Sequence, residues 1–272
     1  MLAEDKLRAG QVDEALALLQ DEVRKSPGNV RYRVFLFQLL SVLGQWDRAW
    51  LQLKTSGDLD PQCLPMVQTY RELLRCEVFR SHVFAGSKTP VFLGEPQPWA
   101  ALLVQALRRT AEGKHDDAQE LRSQAFDSAP TTSGQVDGKR FSWIADGDVR
   151  LGPVLEMIVH GRYTWLPFHQ VRSLRIEPPK DLRDLVWMPV ILTLVTGGEL
   201  VAFIPSRYPG AESHSDAAVR LARRTDWTEI PGGYLGAGQR VWTTDEGEHA
   251  LFDVREVDLD VDVVDENVVT DG

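Results

Sequence analysis

The sequence predicts an α+β protein: an N-terminal tetratricopeptide-like α-solenoid, then a mainly antiparallel β domain, a small barrel or sandwich, with one helix. Two observations predict this fold class. A helical-hairpin pattern repeats within the first 130 residues, and short apolar runs bounded by glycine and proline replace it afterwards. With 272 residues, 43% of them hydrophobic and 26% charged, the chain has the composition of a globular protein and the length of one or two domains.

The helical repeat consists of a glycine, an alanine and a proline at fixed spacings. It occurs at Gly10, Ala15 and Pro27, at Gly44, Ala49 and Pro61, and at Gly113, Ala118 and Pro130. Glycine allows a tight turn between two helices, alanine lets the helices pack closely, and proline ends one unit and begins the next helix. The first two copies start 34 residues apart, which is the tetratricopeptide period.

The repeat is interrupted between residues 66 and 109, where Pro90, Pro96 and Pro98 break the chain. We therefore predict a short, degenerate solenoid with a long helix near residues 61–82, an irregular linker and a last hairpin near residues 99–128. Solenoids of this kind usually bind a helix or an extended peptide on their concave surface.

Trp46 and Trp50 are the candidate partner-binding residues of the solenoid. They lie four residues apart, and so on one face of a helix. Tryptophan is enriched among the side chains that dominate binding energy. The alternative is that both rings belong to the hydrophobic core.

The second part of the chain, from residue 131, reads as short strands joined by tight turns. We expect hairpins at residues 160–162, 197–198 and 245–247, and one helix at residues 215–224. The predicted domains are a degenerate tetratricopeptide-like domain at residues 1–130, a mainly β domain at 131–259 and an acidic disordered tail at 260–272.

Charge and composition exclude several classes of function. The formal net charge is −10, which disfavours a nucleic-acid partner because such proteins need a basic surface. Residues 253–272 hold eight acidic residues against Arg255 alone, so the tail is a solubilising end or a docking segment for a basic partner.

We see no targeting segment or membrane span, and two cysteines fit a reducing compartment. The expected location is the cytoplasm.

Candidate residues for chemistry are few. Asp146 and Asp148 could share a proton or bind a cation, but aspartates are also common in turns. Arg207 has the sequence context of a structural ion pair or a ring-stacked arginine. The glycine-rich residues 232–238 precede a predicted strand, whereas a phosphate cradle precedes a helix. We therefore predict no catalytic residue, no metal site and no cofactor.

Several strings in the β part form a characteristic set. They are Ala145-Asp146-Gly147-Asp148, Arg150-Leu151-Gly152-Pro153-Val154-Leu155-Glu156, Gly161-Arg162-Tyr163-x-Trp165-x-Pro167-Phe168, Ile176-Glu177-Pro178-Pro179, Leu182-Arg183-Asp184-Leu185-Val186-Trp187, Pro205-x-Arg207-Tyr208-Pro209-Gly210 and Gly238-Gln239-Arg240. Together these strings resemble the ImpE/TagJ family of type VI secretion accessory proteins. With the helical repeats in front of them, the resemblance covers about residues 2–259.

The resemblance implies a function that composition alone does not give. Family members are non-enzymatic, bind a helix near the N-terminus of the small sheath subunit TssB, and are linked to the unfoldase ClpV that recycles the contracted sheath. The expected function is therefore a cytoplasmic accessory protein that modulates sheath assembly or ClpV-dependent recycling. The alternative is a general tetratricopeptide-type adaptor unrelated to secretion, and a hydrolase using Asp146 and Asp148 comes third.

Overall fold

The computed structural model describes residues 2–93 and 97–262. Its first part consists of helices that pack mainly against their neighbours in sequence, α1 with α2, α3 with α4 and α6 with α7. The helices are α1 (Leu2–Arg8), α2 (Val12–Lys25), α3 (Val30–Val42), α4 (Trp46–Leu59), α5 (Leu64–Phe84), α6 (Pro98–Ala111) and α7 (His115–Ser128).

The glycine and alanine of the predicted repeat have the expected positions. Gly10, Gly44 and Gly113 have positive φ, between 66° and 77°, in the turns of the three hairpins. At Gly44 a Cβ would also lie 2.4 Å from Cγ of Glu212. The three alanines, Ala15, Ala49 and Ala118, have no solvent exposure. Helical hairpins are therefore present, and their assignment as tetratricopeptide repeats stays a prediction.

The long helix α5 begins after a short 3₁₀ turn at Pro61–Cys63, where Asp60 Oδ1 accepts a hydrogen bond from the backbone nitrogen of Gln62 at 2.9 Å. The predicted irregular linker after α5 differs from the structure. Val91–Phe92 form strand β1, which pairs in parallel with a strand of the second part. Two residues between prolines carry no periodicity, so the sequence pattern could not indicate this strand.

The second part is a sheet domain, and the fold class is α+β. Its strands are β2 (Gly134–Val136), β3 (Lys139–Phe141), β4 (Ile144–Asp146), β5 (Val154–Val159), β6 (Arg162–Pro167), β7 (Val171–Ile176), β8 (Trp187–Leu194), β9 (Glu199–Pro205), β10 (Thr225–Ile230), β11 (Gly233–Gly238), β12 (Val241–Thr244), β13 (Gly247–Ala250) and β14 (Glu256–Leu259). One short helix, α8 (Ala217–Arg220), lies within the predicted 215–224.

The described strands form one large sheet and two small ones. The large sheet has the order β1-β6-β5-β9-β8-β7-β14-β2-β3, and β13-β12-β4 and β10-β11 form the others. All pairs are antiparallel except β1 with β6. The expected hairpins occur at β5-β6, β8-β9 and β12-β13. The large sheet ends on β1 and β3, so the barrel or sandwich of the prediction is not confirmed.

Two hydrophobic cores lie on the two faces of the large sheet. Strand β5 shows the alternation: Val154 and Ile158 belong to the core shared with the helices, whereas Leu155 and Met157 belong to the second core. A strand buried on both faces reads as a continuous apolar run, as residues 154–159 do apart from Glu156.

The boundaries of the predicted domains remain predictions. Helix α7 ends at Ser128 and β2 begins at Gly134, on either side of the expected boundary between residues 130 and 131. Of the predicted acidic tail, residues 263–272 lie outside the described residues. Asp260 is described, and its carboxylate accepts hydrogen bonds from Ser133 Oγ and from the guanidinium of Arg140.

Candidate functional site

Trp46 and Trp50 lie on α4, beside α5, and both side chains are half-buried. The ring of Trp46 lies 6.2 Å from the ring of Trp187 on β8, and so it packs against the core between helices and sheet. The guanidinium carbon of Arg71 lies 5.8 Å from the centre of the Trp50 ring, within the range of a cation–π contact. Each tryptophan therefore contributes to both the core and the surface.

The two tryptophans form one wall of an open groove between α4 and α5, which we call the tryptophan groove. It has a volume of about 280 Å³ and is lined by Trp46, Asp47, Trp50, Arg71, Leu74, Arg75 and Val78. Val78 is among the exposed large apolar side chains of the chain. The groove thus combines an aromatic wall and aliphatic side chains with two arginines.

A second groove lies on the other side of α5, against the β5-β6 hairpin, and we call it the hairpin groove. Its volume is about 250 Å³, and it is lined by Arg75, Cys76, Phe79, Val91, Gly161, Arg162 and Tyr163. Arg75 lines both grooves. The thiol of Cys76 donates to the carbonyl oxygen of Gly161 at 3.4 Å, and burial raises its pKa to about 12. This cysteine is therefore a packing residue, not a nucleophile.

Beneath α5, buried charged side chains join this helix to the sheet. Arg80 of α5 donates to both carboxylate oxygens of Glu156 on β5, from Nη2 at 3.1 Å and also from Nε. Glu156 also accepts from Arg240 and from the hydroxyl of Tyr163, the latter at 2.7 Å. Burial alone would raise the pKa of Glu156, but Arg80 and Arg240 outweigh it and hold the pKa below its usual value. An ionised carboxylate therefore connects two arginines from different parts of the chain.

Further buried bonds hold the helices on the sheet. The indole nitrogen of Trp187 donates to Glu77 Oε1 of α5 at 3.0 Å. Among the described residues, Arg207 forms neither the ion pair nor the ring stacking that its sequence context suggested. It donates instead to the carbonyl oxygens of Val42 and Arg220, at 2.7 and 2.6 Å. The first of these belongs to the last turn of α3, where carbonyl groups lack partners within the helix.

Asp146 and Asp148 lie at the sheet end of this network. Asp146 accepts from Arg240, from the hydroxyl of Tyr208 at 3.0 Å and from the backbone nitrogen of Asp148 at 2.9 Å. Asp148 accepts from Arg150 Nε, also at 2.9 Å. Burial raises the pKa of Asp146 to about 6, although Arg240 opposes the shift. Both carboxylates are buried among protein donors, which is typical of structural acids.

The sequence did not identify Arg80, Glu156 and Arg240 as partners. One signal was available, because Glu156 interrupts an apolar strand and a charge there needs a buried partner. Nothing local indicates which arginines provide it. Most members of the network belong to the strings that carry the family resemblance, namely Asp146, Glu156, Tyr163, Arg207, Tyr208 and Arg240. These strings therefore specify the interior of the fold.

The other candidate sites are accounted for within the described residues. Residues 2–93 and 97–262 contain no group of three or more side chains that could hold a metal ion. The glycine-rich residues 233–238 form strand β11 of a hairpin with β10 and do not precede a helix. In the same part of the chain, no helix is both long and apolar enough to cross a membrane.

The chain is similar to known proteins both in sequence and in fold. Residues 138–258 match the family described as ImpE protein. Over 260 residues, the chain is 54% identical to the type VI secretion system accessory component TagJ of Pseudomonas aeruginosa, covering 96% of this chain and 92% of that protein. The fold is similar to the crystal structure of protein VPA1032 from Vibrio parahaemolyticus, with a TM-score of 0.87, 27% identity, and coverage of 95% of this chain and 97% of the other.

Proposed function

The chain belongs to the ImpE/TagJ family of type VI secretion accessory components, and from this membership we propose that it acts by binding a helix of the small sheath subunit TssB. The role is non-enzymatic in this proposal. It is supported by the carboxylates that could have served catalysis, Asp146 and Asp148, whose oxygens accept bonds from buried protein donors.

The observation that carries the proposal is the tryptophan groove. An amphipathic helix binds a groove through apolar side chains at positions i, i+3, i+4 and i+7. The groove offers the rings of Trp46 and Trp50 and the exposed Val78 to such side chains.

The proposal includes the wider consequences of family membership. Binding of TssB would modulate sheath assembly or, indirectly, recycling by ClpV, and it would take place in the cytoplasm. The helical part would be a tetratricopeptide-like domain at residues 1–130 that presents the groove, beside an ImpE-like domain at 131–259.

The test is a binding measurement with purified TssB and the variant Trp50→Ala. Trp50 is half-buried and packs against the helical core, so the melting temperature of the variant is measured beside its affinity, and only a folded variant tests the groove. Loss of an aromatic anchor typically costs about 2 kcal/mol or more of binding, which is about thirtyfold in affinity. Trp143→Ala is the matched control, because Trp143 is 40% exposed and lies outside the groove.

Two results would contradict parts of the proposal. Full affinity for TssB in a folded Trp50→Ala variant would remove the tryptophan groove as the binding site. Failure of the unaltered protein to bind TssB would favour the second candidate, a peptide-binding adaptor unrelated to secretion.

A further inference from the structure

Helix α5 separates two grooves that share one arginine. The tryptophan groove and the hairpin groove flank the helix, and Arg75 lines both. Each groove has an exposed aliphatic side chain, Val78 in the first and Val91 in the second. Across the width of α5, the surface is therefore apolar at Val78 in the tryptophan groove, basic at Arg75 and apolar again at Val91 in the hairpin groove.

We propose that one partner helix crosses α5 and uses both grooves, with an acidic side chain against Arg75 between two apolar anchors. This rests on the proposed function and specifies the chemistry of the segment that the protein binds. It extends the site beyond the helical repeats to the β5-β6 hairpin, through Arg162 and Gly161.

The spacing of the anchors follows from the dimensions of α5. A helix with its side chains is about 10–12 Å wide, and seven residues of a partner helix rise about 10.5 Å. Apolar side chains at i and i+7 would therefore reach the two grooves of one α5. The residues at i+3 and i+4 lie between them on the same face and would meet Arg75.

The charge of the two grooves indicates which side chains the partner helix should carry at i+3 and i+4. The two grooves are lined by Arg71, Arg75 and Arg162, against the single acid Asp47. Glu72, beside the grooves, pairs with Arg75 at 3.0 Å and its Oε1 lies 4.0 Å from Nε of Arg71. Three arginines against two acids leave this surface with a charge of +1, in a chain whose formal net charge is −10. Complementary charge at an interface selects among partners and speeds association, so an acidic centre would be preferred over a basic one.

The underside of α5 makes this surface rigid. Arg80 and Glu77 of α5 are buried and bonded to Glu156 and Trp187 of the sheet. A surface that is ordered before binding loses less conformational entropy when the partner arrives. The two grooves therefore keep a fixed separation, and the affinity should depend on the spacing of the anchors.

The test uses synthetic helical peptides and the full-length protein. One alanine-rich peptide carries leucine at i and i+7 with glutamate at i+3 and i+4, a second carries lysine in place of glutamate, and a third carries the leucines at i and i+4. Fluorescence anisotropy gives the dissociation constants at about 50 and about 300 mM NaCl. We expect the glutamate peptide to bind at least about fivefold more tightly than either of the others, and less tightly at high salt.

Arg75→Glu should reverse the preference, so that the lysine peptide binds more tightly than the glutamate peptide. Arg24→Glu is the matched control, because Arg24 and Arg75 are similarly exposed, at 71% and 69%, and each pairs with an acid three residues away. Arg24 lies on α2, outside both grooves, and its replacement should change neither affinity.

Equal binding of the glutamate and lysine peptides, or an unchanged preference in Arg75→Glu, would overturn the inference. A dimer that Arg75→Glu converts to a monomer in sedimentation would also overturn it, since a second copy would then cover the surface. Binding of TssB without discrimination between the peptides would leave the proposed function standing. Discrimination between the peptides without binding of TssB would refute that function alone.

Discussion

Replacing Glu156 with glutamine tests whether buried charge holds α5 on the sheet. Glu156 is fully buried and accepts bonds from Arg80, Arg240 and Tyr163. Glutamine keeps the shape but removes the counter-charge that the two buried guanidinium groups share, and it leaves each of them with one other acid, Glu77 for Arg80 and Asp146 for Arg240. Breaking a buried pair in this way costs about 3–5 kcal/mol. For a chain of this length, about 2 °C of melting temperature corresponds to each kcal/mol, so we expect a decrease of about 6–10 °C.

The matched control is Glu256→Gln, which removes another glutamate–arginine pair from the same sheet. Glu256 pairs with Arg175 at 3.4 Å, but the two side chains are 50% and 66% exposed. Exposed pairs contribute less than about 1 kcal/mol, so its melting temperature should fall by less than about 2 °C. The assay is thermal unfolding followed by circular dichroism, with denaturant titration as a check. A Glu156→Gln variant that unfolds within about 2 °C of the unaltered protein would refute the reasoning.

Two further predictions concern stability. Burial raises the pKa of Asp146 to about 6 from its ordinary 3.8, so its contribution to stability is present at low pH and is lost as pH rises through about 6. The free energy of unfolding that Asp146→Asn loses relative to the unaltered protein should therefore become smaller between about pH 5 and about pH 7.5. The loss in Glu156→Gln should stay constant over this range, because the pKa of Glu156 is lowered. Denaturant titrations in which both losses change in parallel would contradict this prediction. Ala15→Leu should overpack the first hairpin and lower the free energy of unfolding by about 1–3 kcal/mol, because Ala15 is fully buried. The control Ala17→Leu, on the exposed face of the same helix, should change it little. Equal denaturation midpoints for the two variants would mean that the helices do not approach closely at Ala15.

The sequence predicted those elements that local signals specify. The turn glycines, the buried alanines and the hairpin at Gly161 follow from backbone conformation and packing at single positions. The partners of Glu156 do not, because Arg80 and Arg240 are 76 and 84 residues away along the chain. Only the complete fold brings these charges together, and their pairing energy depends on burial that no local window contains.

Local strand signals do not show which strands pair when the partners are distant in sequence. The hairpin at residues 245–247 continues only to the end of β13 at Ala250, and β14 begins at Glu256 in a different sheet. The residues between them turn the chain from the small sheet back to the large one. The two tryptophans of the candidate site were located correctly on one helix, but their groove depends on Arg71 and Arg75 of α5, which the repeat pattern did not include.

The position of β14 has a consequence for how the chain reaches its native state. Val257 of this strand lies between Val136 of β2 and Leu174 of β7, and no other described strand joins the β2-β3 ribbon to the large sheet. The helical hairpins form from contacts between neighbours in sequence, which close quickly. The two pairings of Val257 join residues 121 and 83 positions apart, 257 − 136 and 257 − 174, and such distant pairings close slowly. During synthesis, β2 and β7 would each have one unpaired edge until residues 256–259 leave the ribosome. A chain truncated before residue 256 would expose both edges to aggregation.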